Sequence, residues 1–139
     1  MTKINVAALF SVAVLTLTLA SPLLAADRLK AGQWELTSTV TGQEPRTVKH
    51  CVTPVEAKSV NGSVKEARAA TEKSAGKECT LPEFNIVGDT VSFKLVCGPA
   101  VVKVTATYHG DSFESQKTTT VGGKEITSHE KARFLGACP

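Results

Sequence analysis

Four cysteines and three histidines are the residues of this 139-residue chain whose chemistry first needs an explanation. They are Cys51, Cys79, Cys97 and Cys138, with His50, His109 and His129. Structural zinc sites generally contain ligand pairs only a few residues apart, whereas successive cysteines here lie 28, 18 and 41 residues apart. The spacing therefore favours two disulfide bonds over a metal site, and we expect no metal ion and no cofactor.

The same residues do not form a recognisable catalytic centre. A nucleophilic enzyme needs a serine or cysteine with a histidine in reach and an acid that orients it. His50 precedes Cys51, but neighbours on a strand point to opposite faces. We interpret His50 as a partly buried structural residue, because it shares its face with Val48 and Val52. There is no Gly-x-Ser-x-Gly elbow and no phosphate-binding glycine loop, so we expect a protein that is not an enzyme.

The first 26 residues have the layout of a secretory signal peptide. Lys3 precedes an apolar run from Val6 to Ala20, and a short segment that ends in Ala25 and Ala26 follows. The run is short for a membrane span, which needs about 20 predominantly apolar residues. We therefore expect residues 1–26 to be removed during export to the periplasm, with an uncleaved anchor as the alternative. Residues 27–139 are then one disulfide-stapled domain without a membrane span.

The charge of the chain bears on its partners. The formal net charge is only +3, and no segment concentrates the basic residues. Binding to nucleic acid relies on a concentrated basic surface that neutralises phosphates, so we expect no nucleic-acid partner. The partner is expected to be an envelope protein or a small ligand.

Hydrophobic periodicity after residue 27 predicts a mainly β domain. The stretches GQWELTSTV and TVKHCV have the pattern of a strand and its returning partner. Thr53 to Glu56 and Ser63 to Glu66 each have the spacing of a helix N-terminal capping box, and Asn61-Gly62 interrupts the segment between them. Five further strands follow Cys79. We predict a curved antiparallel meander sheet or half-barrel of about seven strands, with one broken helical segment between strands 2 and 3.

The hairpin after Cys79 bears on how the cysteines pair. A two-residue turn at Gly88-Asp89 would place Cys79 and Cys97 at the same end of one hairpin, a small bulge away from bonding. Cys51 would then bond to Cys138 and hold the last strand beside the first pair. The alternative joins Cys51 to Cys79 and Cys97 to Cys138. We favour the first pairing.

Short motifs spread along the chain resemble one bacterial exported family. They are Gly32-x-Trp34-Glu35, Cys51-Val-Thr-Pro54, Gly88-Asp89-Thr90-Val91 before a strand ending in Cys97, Gly110-Asp111-Ser112-Phe113, and Leu135-Gly136-x-Cys138. Together they resemble the domain-of-unknown-function family numbered 3617, from about Gly32 to Cys138. The resemblance implies export and a disulfide-bearing β-rich domain, and it implies no activity and no catalytic residue. Ala137 departs from the polar residue expected there.

The predicted sixth and seventh strands are polar on both faces. Such a pair is either a solvated part of the sheet or one wall of a water-filled groove. We favour the solvated sheet, because antiparallel sheets commonly expose one face to water. The groove interpretation predicts a ligand site lined by Tyr108, Phe113, Lys117 and His129.

We conclude from the sequence that the protein is an exported binding or structural module of the cell envelope. One alternative is a carrier of a small apolar or lipid-like ligand in the concavity of the sheet, where curved β domains often bind. A second alternative is an inhibitor of a secreted enzyme, acting through the turn from His109 to Ser112.

Overall fold

Residues 27–139 are described by a computed structural model, and the predicted signal peptide, residues 1–26, lies outside the described residues. The described part contains seven strands and two helices. In chain order they are β1 (Gly32–Val40), β2 (Arg46–Val52), α1 (Pro54–Asn61), α2 (Val64–Ala75), β3 (Cys79–Val87), β4 (Thr90–Cys97), β5 (Ala100–Tyr108), β6 (Ser112–Val121) and β7 (Lys124–Gly136). This confirms the predicted fold class, which is mainly β with a minor helical part.

The strands form a single antiparallel sheet that is not closed, in the order β2-β1-β7-β6-β5-β4-β3. Strands β3 to β7 form a meander, and β7 then pairs with β1, so the last strand lies beside the first pair. Strands β2 and β3 are therefore the two edges of the sheet. The chain between them contains both helices, which pack on one face of the sheet, called the inner face below.

Two capping boxes begin the helices where the sequence predicts them. The Thr53 hydroxyl accepts a hydrogen bond from the backbone N–H of Glu56, and the Glu56 carboxylate accepts one from the N–H of Thr53 at 2.7 Å. Ser63 and Glu66 repeat the arrangement at the start of α2. Each box satisfies backbone donors that a helix N-terminus otherwise leaves unpaired. The helical segment is therefore broken at Gly62, between two separately capped helices.

The β3–β4 hairpin has the register that its turn predicts, with one bulge. Phe84 lies opposite Phe93. The register then shifts between Thr80 and Glu83, and this irregularity brings Cys79 directly opposite Cys97. Because a bulge adds one residue to one strand, it converts the diagonal placement expected from the sequence into a direct pair.

The core consists of two clusters of buried side chains that meet at Tyr108. One cluster is centred on the fully buried Trp34, and the other on Phe84 and Val91. Each helix contributes one buried alanine, Ala57 from α1 and Ala67 from α2.

The segment before β1 fixes the junction between the helices. The Arg28 guanidinium donates hydrogen bonds to the carbonyl oxygens of Val60 and Gly62, both at 2.9 Å. The Asn61 side chain accepts from the backbone N–H of Leu29 and donates to the Leu29 carbonyl. The segment before β1 thus holds the helices at their junction.

Candidate functional site

A cavity of about 410 Å³ lies between α2 and the inner face of β3, β4 and β5. The sheet side of its lining is largely apolar and consists of Phe84, Val91, Phe93, Leu95 and Tyr108. The helical side carries mostly small side chains, namely Ser59, Val60, Ala67, Ala70, Thr71, Ser74 and Ala75.

The cavity exists because α2 faces the sheet with short side chains. Ala67 reaches the sheet and is buried, while Ala70 and Thr71, one turn further along, line the open space. The Thr71 hydroxyl bonds back to the Ala67 carbonyl at 2.9 Å, which satisfies it within the helix. No large apolar residue of α2 therefore fills the space above Phe93 and Leu95, and both remain only half-buried.

A second cavity of about 240 Å³ adjoins the first. The two share three lining residues, Ser59, Val60 and Tyr108. The rest of the second lining comes from α1, β1, β2, β6 and the segment before β1, and it consists of Leu29, Trp34, Leu36, His50, Val52, Glu56 and Phe113. The shared residues place the two cavities side by side under α1 and α2.

Aromatic rings form the floor of the second cavity. The Trp34 ring lies 5.6 Å from the Phe113 ring and 5.4 Å from the Phe134 ring, centroid to centroid. The Tyr108 ring is 5.4 Å from that of Phe113. The Trp34 indole N–H donates to the Lys30 carbonyl at 2.9 Å, so this buried ring has its polar atom satisfied.

The charged side chains of the lining lie at one end, in the second cavity, whereas hydroxyl groups also line the larger one. His50 Nε2 is 3.5 Å from Glu56 Oε1, and both side chains are about half exposed at the mouth of the second cavity. Hydrogen bonds from the Thr53 backbone and hydroxyl lower the pKa of Glu56 below its ordinary value. Burial raises the pKa of the Tyr108 hydroxyl, so this group stays neutral where the cavities meet.

The structure brings together only two of the four residues predicted to line a groove. Tyr108 and Phe113 are direct cross-strand partners on the inner face. Lys117 follows on the same face but is exposed and lines neither cavity. His129 was placed wrongly, because it lies opposite Gln116 on the outer face.

The error at His129 has a simple cause in the register of the β6–β7 hairpin. Its turn consists of Gly122 and Gly123, so Lys117 lies opposite Ser128. His129 is the next residue, and neighbours on a strand point to opposite faces. Counting outward from this turn in the sequence places Lys117 and His129 on opposite faces of the sheet.

A family model described as a protein of unknown function, DUF3617, matches residues 29–138. The chain belongs to this family. The match confirms the resemblance seen in the sequence motifs, and it includes every residue that lines the two cavities of this DUF3617 domain. No curated protein and no solved structure matches the chain.

All four cysteines of the DUF3617 domain are bonded. Cys79 is joined to Cys97, and Cys51 to Cys138, which is the favoured one of the two pairings above. The second bond links the edge strand β2 to the residues just after β7 across the intervening β1. Cys51 precedes the first helix by two residues, so this bond also fixes the point where the chain leaves the sheet for α1.

The histidines of the DUF3617 domain are dispersed. His50 is about half exposed, more open than the partly buried structural position predicted for it, because β2 is an edge strand with no neighbour beyond it. His109 lies just after β5, and His129 lies on the outer face of β7. Within residues 27–139 no group of three or more metal-ligating side chains occurs, and no helix of that range is long and apolar enough to cross a membrane.

The residues that sequence reasoning missed are the small ones on α2. Ala67, Ala70, Thr71 and Ser74 recur at the spacing of one helix face. A helix face of small side chains directly before strands rich in apolar residues is the signal that could have indicated the cavity.

Proposed function

We propose that this DUF3617 domain is an exported, non-enzymatic binding module of the periplasm that holds a small, mainly apolar ligand between α2 and the sheet. The observation that carries the proposal is the 410 Å³ cavity lined by Phe84, Val91, Phe93 and Leu95. Ligand cavities in proteins typically measure about 300 to 1,000 Å³ and have mostly apolar walls with a few polar groups.

The half-buried apolar residues of β4 support a ligand in this place. Phe93 and Leu95 point toward α2, yet each keeps part of its surface open to the cavity. Burying apolar surface gains about 25 cal/mol per Å², so a ligand that covers these side chains would bind favourably. A helix with leucines in place of Ala70 and Thr71 would cover the same surface without a ligand.

Two disulfide bonds support the proposed compartment. Disulfides persist in oxidising environments such as the bacterial periplasm and are rare in the cytosol. Together with the predicted signal peptide, they favour export. The mass of the protein recovered from the periplasm, measured under denaturing conditions, should equal that of a chain cut near residue 26 and lacking four cysteine hydrogens.

A pair of alanine substitutions on α2 tests the binding site. Ala70 lines the cavity, whereas its neighbour Ala69 is exposed on the other side of the helix. We expect Ala70→Leu to fill the cavity and weaken the binding of an apolar fluorescent probe, on the order of tenfold for a blocked pocket. Ala69→Leu should bind the probe like the unmodified protein.

Native mass spectrometry of protein purified from the periplasm without denaturant is the complementary measurement. A bound ligand in the unmodified protein that is lost from Ala70→Leu supports the proposal. Equal probe binding by both alanine variants, with their folds intact by circular dichroism, would contradict it.

A further inference from the structure

We infer that the ligand is a single-chain amphiphile with an uncharged or cationic hydrogen-bonding head group, such as a hydroxyl or an amine. The head group lies beside Glu56 in the smaller cavity, and the chain passes Tyr108 into the larger one. This inference rests on the proposed function and adds the class of the ligand and its orientation.

The position of the charged side chains sets the orientation. The larger cavity is bounded on the sheet side by Phe84, Val91, Phe93 and Leu95. The smaller cavity opens beside two titratable side chains, His50 and Glu56. A molecule that occupies both cavities therefore has apolar walls along its length and meets the charged pair of His50 and Glu56 only at one end, which matches an amphiphile.

The charge at the polar end selects the head group. Glu56 is a carboxylate at neutral pH, and the hydrogen bonds from Thr53 to its charged form lower its pKa further. Its Oε2 is used by Thr53, while Oε1 is turned toward His50. Among the described residues, neither cavity is lined by a lysine or an arginine. A carboxylate or phosphate head group beside Glu56 would therefore meet a like charge. The Arg28 guanidinium acts on Tyr108 from outside the linings, but its N–H groups already donate to the carbonyl oxygens of Val60 and Gly62.

Tyr108 supplies a further polar contact at the junction of the cavities. Tyr108 lines both cavities, and its largely buried hydroxyl can both donate and accept a hydrogen bond. The ring packs against Phe113, so its body is apolar while its tip can bond to an ester, amide or hydroxyl oxygen near the head group.

A matched series of straight-chain probes of equal length tests the head-group preference. We use an alkylamine, an alkyl alcohol and an alkyl carboxylate, each titrated into the full domain at neutral pH below its aggregation threshold. Because like and opposite charges near a protein surface differ by a few kcal/mol at most, we expect the amine to bind on the order of tenfold more tightly than the carboxylate, with the alcohol between them.

The two capping boxes provide a matched pair of variants. Glu56→Gln removes the charge but keeps a side-chain oxygen for the capping box, so α1 should still form. This variant should bind the amine and the carboxylate nearly equally. Glu66→Gln makes the same change in the box of α2, whose glutamate lines neither cavity, and should leave the preference unchanged.

Trp34 reports the orientation, since it is the single tryptophan and it lines the smaller cavity. A chain brominated next to its head group should quench Trp34 fluorescence more strongly than a chain brominated at its far end. Stronger quenching by the far-end bromine would overturn the orientation.

The outcomes of these experiments separate a failure of this inference from a failure of the proposed function on which it rests. If all probes bind with equal affinity and Glu56→Gln changes nothing, the domain is a binding protein but the head-group assignment is wrong. Tightest binding of the carboxylate also overturns the assignment. If no probe binds and Ala70→Leu behaves like the unmodified protein, the proposed function itself fails.

Discussion

Gly32 illustrates how a single residue fixes the approach of two strands. Its backbone has φ +141°, a conformation that side chains rarely adopt. A Cβ at this position would collide with the carbonyl oxygen of Gly136 and with the ring of Phe134 on β7. The first motif of the family resemblance therefore contains a glycine that lets β1 lie against β7.

We predict that Gly32→Ala lowers the free energy of unfolding by about 2 kcal/mol or more, because backbone strain of about 1–3 kcal/mol adds to the collision. Gly42→Ala is the matched control, since Gly42 has φ +80° and a methyl group there would meet no atom within 4 Å. The Gly42→Ala variant should lose about 1 kcal/mol of unfolding free energy, from backbone strain alone. Urea unfolding of both variants measures the difference, and equal losses would show that the collision does not matter.

Ala70 allows a stability prediction that is independent of any ligand. In a closely packed core, replacing a methyl by an isobutyl side chain costs stability, whereas in an open cavity the three added carbons bury apolar surface. We therefore expect Ala70→Leu to raise the unfolding free energy by about 1 kcal/mol, at about 0.8 kcal/mol per buried methylene less the lost side-chain entropy. A loss of stability in thermal or urea unfolding would mean that this space is not open.

At the scale of elements, both helices depend on ionised glutamates at their N-termini. The backbone N–H of Ser63 is the largest cause of the lowered pKa of Glu66, and that of Thr53 plays the same part for Glu56. A carboxylate with a depressed folded-state pKa contributes stability above the unfolded-state pKa and loses it as pH falls through the folded-state value. The helices should therefore lose their caps under acid conditions.

We predict that helical circular dichroism and thermal stability of the domain decrease as pH falls below the ordinary glutamate pKa of 4.5. The double variant Glu56→Gln and Glu66→Gln should be less stable at neutral pH and should show a smaller acid-dependent decrease, since it has lost two of the titrating caps. An identical decrease in the double variant would show that other carboxyl groups are responsible.

The elements show where prediction from sequence succeeds. Two-residue turns set the register of a hairpin, so the Phe84–Phe93 pair follows from counting away from Gly88-Asp89 and the Tyr108–Phe113 pair from counting away from Gly110-Asp111. Capping boxes are equally local, and both helices begin where their Thr and Ser residues predict.

Prediction fails where a structure depends on distant contacts. The exposure of His50 depends on the position of β2 at the edge of the sheet. The residues of β2 do not themselves indicate that this strand has a neighbour on one side only. The cavity lies between α2 and β4, two elements that are not neighbours in the chain, so its size depends on tertiary packing that no local sequence pattern describes. The pattern of Ala67 and Ala70 was visible, but the sheet beneath it was not.

At the scale of the whole molecule, the two disulfides close loops of very different length. Cys51 and Cys138 are 87 residues apart, and Cys79 and Cys97 are 18 apart. In the chain-entropy account, a longer loop restricts the unfolded chain more, by about 1 kcal/mol for this ratio of lengths.

We predict that the double variant Cys51→Ala and Cys138→Ala loses about 1 kcal/mol more stability than the double variant Cys79→Ala and Cys97→Ala. Guanidinium unfolding of the two proteins under non-reducing conditions gives the comparison. A larger loss from the Cys79–Cys97 pair would show that the bond at the bulge holds local native geometry and acts less through the unfolded chain.

The position of β1 between β2 and β7 has a consequence for the timing of assembly. Strands β3 to β6 pair with their neighbours in the chain and can do so as they are made, but one side of β1 has no partner until β7 arrives. An isolated pair such as β1 and β2 is marginal in water, and the helices that follow it have no complete sheet to cover. We therefore expect a chain that ends before β7 to be more sensitive to protease than the full domain, because one side of β1 is then unpaired.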